Sequence, residues 1–354
     1  MNDGASRFES DPEELVDPDE VAGLPGGWAV DSPDPGGSDV DRLTTLLRDH
    51  ERRGRGWAGA DREDVLAEIS DAALRTRQNV VVRDEAGEVR AWGSVHDRAG
   101  GRMLFVHVVE RDLAEPVGRA CSDVLVEWAV GQAREVGAAR GLEVQQIDTG
   151  AFADDERQHR WLAASGFDRV RSWWQMSRQV SVEETGLVPS PRDWTDRGVR
   201  FRLVDAGVEG DLRAVHDVLE EAFTDHFNSK PETFDEFLSR LREDPGHRWD
   251  HWWLASLDDG GPVGALVGTA SGNGSYVAYI GVVEAARGRG VAKNLLRTIV
   301  ADAAARGRDR VGLEVDADSS TGAHHLYESM RWTTSYVTES WHRDVPVREQ
   351  PATP

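Results

Sequence analysis

The run YIGVVEAARGRGVAKNLLRTIVADAAARG, residues 279–307, decides how the rest of the chain is read. It opens as a short apolar strand and closes with Val291, Leu295, Leu296, Ile299 and Val300 on one face at helical spacing. Between these lie Gly288 and Gly290, interleaved with Arg287 and Arg289. A strand that enters a helix through such a loop gathers the first N–H groups of the helix around one point. Those groups have no partner inside the helix, and the helix dipole makes that end positive. The natural guest is a phosphate or diphosphate. No P-loop pattern is present, and Lys293 stands where a dinucleotide fingerprint has its third glycine. What remains is Arg-x-x-Gly-x-Ala, from Arg287 to Ala292.

Outward from this stretch, strand and helix patterns alternate. Residues 199–207 alternate as a strand, and 211–227 and 235–244 have helical spacing. Three strands broken by Asp/Gly and Gly/Asn turns fill 251–283. A strand over 310–318, a helix over 323–330 and a last strand over 334–345 complete the order. This predicts an α/β (α+β) fold with helices against a mixed sheet. The first half repeats it: a helix at 43–54, a hairpin at 79–97, a strand at 102–112, a helix at 121–137, a strand at 142–150 and a helix leaving at 155–167. HVVERD (107–112) aligns with GVVEAA (281–286), and HRWLAASGF (159–167) with HHLYESMRW (324–332). One unit is therefore expected twice, over 21–180 and 199–345. A linker rich in Pro, Ser and charge at 181–198 joins them, with a disordered acidic tail at 1–20 and a second tail at 346–354.

The formal charge of −23 disfavours nucleic acid and anionic lipid as partners and attracts cations such as protonated amines. No run approaches the ~18 apolar residues of a membrane span. Cys121 is the lone cysteine, so no disulfide forms within the chain, and cytoplasmic residence is expected. No metal is expected. His324 and His325 are adjacent and diverge on a helix, and His247 and His251 fall in what reads as a loop entering a strand.

VVEAARGRGVAKNLL (282–296) resembles the acetyl-CoA loop of the GCN5-related N-acetyltransferases, the GNAT family. LEVDADSSTGAHHLYESMRW (313–332) resembles that family's next motif, in the same order and spacing. The doubled unit is similar to the tandem-domain, mycothiol synthase-like members. The resemblance implies two tandem GNAT-like domains, each with a splayed mixed sheet. It implies pantetheine against the backbone of Ile280, Gly281 and Val282, and a diphosphate on the amides of Arg287, Gly288, Arg289, Gly290, Val291, Ala292 and Lys293. Tyr327 takes the place of the acid that protonates the leaving thiolate, or is a core tyrosine. Ser319 touches the pantetheine arm or merely forms the turn. The base stays open among Glu221, Asp225, His226, Glu314 and a chain of water. Tyr276 occupies a position where the mycothiol synthase-like members carry Glu.

Aligned on Gly118 and Gly288, the first copy has Val117 opposite Arg287, Ala120 opposite Gly290 and Leu162 opposite Tyr327, with Glu115 and Pro116 nearby. It is expected to be degenerate. The function implied is acetyl-CoA-dependent transfer of an acetyl group to the primary amine of a small molecule, by a monomer or homodimer, with the active site in the second copy. The alternatives are a protein or peptide N-acetyltransferase and a non-catalytic acetyl-CoA scaffold or sensor.

Overall fold

The structure is a computed structural model that describes residues 23–98, 101–224, 232–242, 246–258, 260–318 and 322–348. The first half runs β1 (Ala29–Asp31), α1 (Asp39–Arg55), α2 (Arg62–Ile69), β2 (Arg77–Arg83), β3 (Val89–Arg98) and β4 (Arg102–Val109). It continues through α3 (Glu115–Arg140), β5 (Val144–Phe152), α4 (Glu156–Ala164) and β6 (Asp168–Gln179). The second half runs β7 (Asp193–Asp196), β8 (Val199–Leu203), α5 (Glu209–Ala222), α6 (Phe234–Arg242), β9 (His247–Leu257) and β10 (Pro262–Ser271). Then come β11 (Gly274–Val282), α7 (Val291–Ala305), β12 (Arg310–Asp316), α8 (Ala323–Ser329) and β13 (Thr333–Pro346). Helix α2 and strand β1 were not read from the sequence, and β7 lies inside the expected linker.

The halves share one sheet, ordered β1-β2-β3-β4-β5-β13-β6-β12-β11-β10-β9-β8-β7. Each half sends its last strand into the other. β13 pairs with β5 from Thr338↔Phe152 to Pro346↔Val144, and β6 pairs with β12 from Arg310↔Gln179 to Asp316↔Trp173. The fold class is the expected one, but two expected sheets are fused. A strand's period-2 pattern says which face is buried and nothing about which neighbour it takes.

Both faces of the sheet are covered. Trp252 and Trp253 point to opposite faces of β9 and are both fully buried. Trp252 meets Phe237 of α6 edge-on, and Trp253 Nε1 donates to Pro191 O at 2.7 Å. The bareness of β10 lets α7 lie close. A Cβ on Gly264 would sit 2.7 Å from Val291 Cγ1, and one on Gly268 3.0 Å from Ile299 Cδ1. On the opposite face a Cβ on Gly281 would sit 2.9 Å from Ala222 Cβ of α5. Helices therefore grip the end of β11 from both sides and fix where α7 begins. Among the described residues, no helix is long and apolar enough to cross a membrane.

Candidate active site

Strands β11 and β12 are parallel and pair only from Gly274↔Arg310 to Val277↔Leu313. Beyond that point they separate, leaving Ala278–Val282 and Glu314–Asp316 without one another as partners. Val283 N donates to Val263 O at 3.0 Å. Main-chain groups of an antiparallel strand alternate in direction, so Gly281 also faces β10 while Ile280 and Val282 turn their N–H and C=O into the gap. The edge that the resemblance assigned to pantetheine is thus a free strand edge.

The turn from Glu284 to Gly290 leads from this gap to α7. Arg287 N and Arg289 N are used, donating to Glu284 O and Ala286 O. Gly288, Gly290, Val291, Ala292 and Lys293 have no hydrogen bond from N–H to any described residue. Gly288 and Gly290 have φ of 78° and 80°, a region that favours glycine, and a Cβ on either would meet nothing within 4 Å. No side chain caps the helix. The side chains of Arg287, Arg289 and Lys293 are exposed and make no ion pair with a described residue. In a chain of net charge −23 this is an open, locally positive cradle.

Tyr327 lies on α8, 7% exposed, with its ring edge-on to Trp332. Burial pushes its phenol up to about 12, so the hydroxyl keeps its proton at neutral pH. Glu314 is the first residue of β12 past the last pair with β11, at the apex of the gap. It accepts a hydrogen bond from Gln175 Nε2 of β6. Although the residue reaches solvent, burial of its carboxyl raises its pKa above the ordinary carboxylate value, against the pull of that bond. The Tyr276 hydroxyl is also raised, first by burial and then by the Glu314 charge. Glu221 is exposed on the last turn of α5. Ser319, Asp225 and His226 lie outside the described residues.

A cleft of about 460 Å³ opens beside this gap, between the halves. Glu68, Arg77 and Trp92 line it from the first half, and Arg240, Ala278 and Tyr279 from the second. Arg240 ties the wall together, pairing with Glu232 at 2.6 Å and donating to the Tyr279 hydroxyl at 2.6 Å. His247 and His251 both lie on β9, not in an entering loop. Among the described residues, no group of three or more His, Cys, Asp or Glu is arranged to hold a metal ion.

The first copy shares the strand gap and differs in what fills it and in its helix start. β4 and β5 also separate, after Phe105↔Thr149. There the Gln158 amide of α4 fills the opening, donating to His107 O at 3.2 Å and Gly150 O at 3.4 Å. Gly118, aligned with Gly288, is already inside α3, and its N–H donates to Ala114 O. Glu115 brings its own carboxylate to that helix end and accepts from Trp161 Nε1 at 3.0 Å. Arg157 stacks on Trp161 and donates to the carbonyls of Glu110, Arg111 and Leu113. Gln158 aligns with Ala323, one residue before the matching fragments, and the sequence reading did not reach it. A Gln opposite an Ala at that point was the available signal.

The comparisons agree with this geometry. The model of the acetyltransferase (GNAT) family matches residues 212–331. The mycothiol acetyltransferase of Thermobispora bispora is 30% identical over 212 residues, spanning 54% of this chain and 67% of that protein. A GCN5-related N-acetyltransferase from Sphaerobacter thermophilus superposes with a TM-score of 0.70 at 25% identity, over 91% of this chain and 97% of its own. A tandem GNAT protein from the clavulanic acid biosynthesis pathway gives 0.63 at 13% identity, over 92% and 100%, a likeness of fold alone. Fold, site and relatives define an acyltransferase. The chain belongs to the acetyltransferase (GNAT) family, in its tandem form.

Proposed function

We propose that this enzyme transfers the acetyl group of acetyl-CoA to the primary amine of a small molecule, and that the second half carries the active site. The observation that carries this reading is the open end of α7 beside a free strand edge, with the matching end of α3 closed. In this reading the amides of Gly288 and of Gly290 to Lys293 hold the diphosphate, with Arg287, Arg289 and Lys293 at the rim. Ile280 and Val282 hold the pantetheine as an added strand, which fixes the thioester beside the acceptor. The Val282 N–H stabilises the carbonyl oxygen as it gains charge. Glu314, directly or through water, takes the proton of the ammonium. Its raised carboxyl pKa makes it a stronger base than an ordinary carboxylate. The amine nitrogen bonds to the acetyl carbon, the carbon–sulfur bond breaks with its electron pair on sulfur, and Tyr327 protonates the departing thiolate. The second proton, shed by the new amide nitrogen, returns through water to the Tyr327 phenolate.

A cleft of about 460 Å³ is the size of a small-molecule site, roughly 300–1,000 Å³, which supports a small acceptor over a polypeptide. Cytoplasmic residence fits a chain whose single thiol, Cys121, is buried and unbridged. The test is free-thiol release from acetyl-CoA across an amine panel containing the mycothiol precursor, aminoglycosides, polyamines and a peptide. Release with a small amine and not with the peptide is expected. Release with the peptide alone would overturn the acceptor class, and no coenzyme binding would overturn the whole reading.

A further inference from the structure

A second pocket, of about 530 Å³, lies where β6 leaves the sheet and β13 enters it. Its lining includes Ser177, Arg178, Glu184, Arg331 and Thr333. Strand β11 runs from Gly274, which pairs with Arg310, toward Val282, and Gln179 also pairs with Arg310. The pocket is therefore at the opposite end of these strands from the end of α7.

Three observations make it more than a crevice. First, the charged side chains facing it are Arg178, Arg331 and Glu184, one carboxylate against two guanidinium groups. Arg331 makes no ion pair with a described residue. Second, the Arg178 side chain is 9% exposed, and its Nε is buried without a hydrogen-bond partner, although its other end pairs with Glu184. The Arg178 pKa is lowered by burial and then by the Arg331 charge, so the two cations stand near one another. Third, the backbone is strained to bring the second cation there. Arg331 has φ of 68°, whereas the first copy places Gly166, with φ of 79°, at the same exit from its helix. A side chain in the left-handed region incurs a strain that glycine does not. A strained residue that also adds like-charge repulsion is explained by a ligand that needs both charges.

We propose that this pocket binds the phosphate group of a small molecule, between Arg178 and Arg331. The planar forks of two arginines match a tetrahedral oxyanion. The ligand acts on the α8 end of the enzyme. Arg331 N donates to Glu328 O at 3.0 Å and Trp332 N to Tyr327 O at 3.1 Å, so Arg331 belongs to the turn that closes the helix carrying Tyr327.

The test uses the full chain with saturating coenzyme A, so that the end of α7 is filled, and titrates inorganic phosphate at constant ionic strength. A rise in melting temperature that saturates is expected in the parent. R331G restores the residue type of the first copy. It should melt higher without phosphate, because the strain is relieved, and lose at least about tenfold in phosphate affinity. R331K, which keeps a charge, should retain part of the response. A parent with no saturable response overturns the proposal, and so does R331G with the parent's phosphate affinity. Phosphate binding that disappears when coenzyme A is added assigns the anion to α7 and also overturns it. The coenzyme's own affinity, measured alongside, reports on the active-site reading separately.

Discussion

Aligned on their glycines, α3 begins about two turns earlier than α7, and that offset separates a closed helix end from an open one. In the second half, Gly288 and Gly290 keep the chain out of the helix until Val291, so the first amides face open space. In the first half, helix geometry has spread back to Glu115, Gly118 is hydrogen-bonded within it, and Trp161 and Arg157 occupy its surroundings. The gaps follow suit: Gln158 spans one, while the other has Ala323 at the same helical position. On the proposed reading, the same unit serves once as a site and once as a wall. A binding end is lost when the helix's own main chain takes the aligned amides and a side chain, Gln158, takes carbonyls of the strand gap.

The sharpest test of this contrast is Tyr327, whose first-copy counterpart is Leu162. Tyr327→Phe should lower kcat about 10²–10⁴-fold while leaving coenzyme affinity within a factor of two or so, the signature of a lost proton donor. Steady-state rates with calorimetry decide it; an unaltered kcat returns Tyr327 to the core and leaves the second half with no acid. Next is Gly290→Asp, which puts a carboxylate into the cradle as Glu115 does in the first half. Coenzyme affinity should fall about ten- to a hundredfold. The mirror change, Glu115→Ala, should leave one coenzyme per chain, because the amides aligned with the cradle, from Gly118 onward, are hydrogen-bonded inside α3. Two per chain by calorimetry would mean that the first copy was only electrostatically blocked.

Much of this contrast was legible in residues. Arg287 to Ala292 pointed to an open helix start because glycine and uncapped helix starts are local facts, and Glu115 and Pro116 pointed to a different start for the same reason. Leu295 and Ile299 gave the helix its buried face. What sequence did not disclose was long-range. Nothing in β6 or β13 says that each crosses to the other half, because Trp173 and Thr338 read the same beside any partner. Glu314 became a better candidate than Glu221 only when the last β11–β12 pair was seen to stop one residue before it. Glu221, by contrast, is on an exposed turn of α5. The placing of Arg331 opposite Gly166 takes on meaning only with its φ of 68°.

A smaller effect tests the Gln158 bolt. Gln158→Ala removes the donor from two carbonyls, His107 O and Gly150 O, inside the first half, and should cost about 1–3 kcal/mol in urea unfolding. Ala323→Gln should do the reverse in the second half, raising the KM for acetyl-CoA with little loss of stability. A stable Gln158→Ala protein together with an unaffected Ala323→Gln enzyme would show that neither gap depends on this position.

The smallest effect is a pH dependence of stability in which His107 and Glu314 pull in opposite directions. His107 is buried between Ser122 and Gln158, and burial lowers its imidazole to about 4. Its folded value lies below the unfolded one, near 6.5, so its contribution is complete above pH ~6.5 and is lost as pH falls toward 4. Glu314 is shifted the other way, with a folded carboxyl above its unfolded value, so acid favours the fold at that point. Between pH 7 and 6 most carboxylates do not titrate, and the His107 contribution should fall by about 0.7 kcal/mol. Hydrogen exchange should therefore quicken more in β4 and α3 than in β11 and β12 over this range. His107→Gln should lessen the response without removing it, because burial also lowers His50 and His96 to about 4. Equal loosening of both halves in the parent would mean that protonation is felt through the shared sheet as one unit, and the division of labour between the copies would then not extend to their stability.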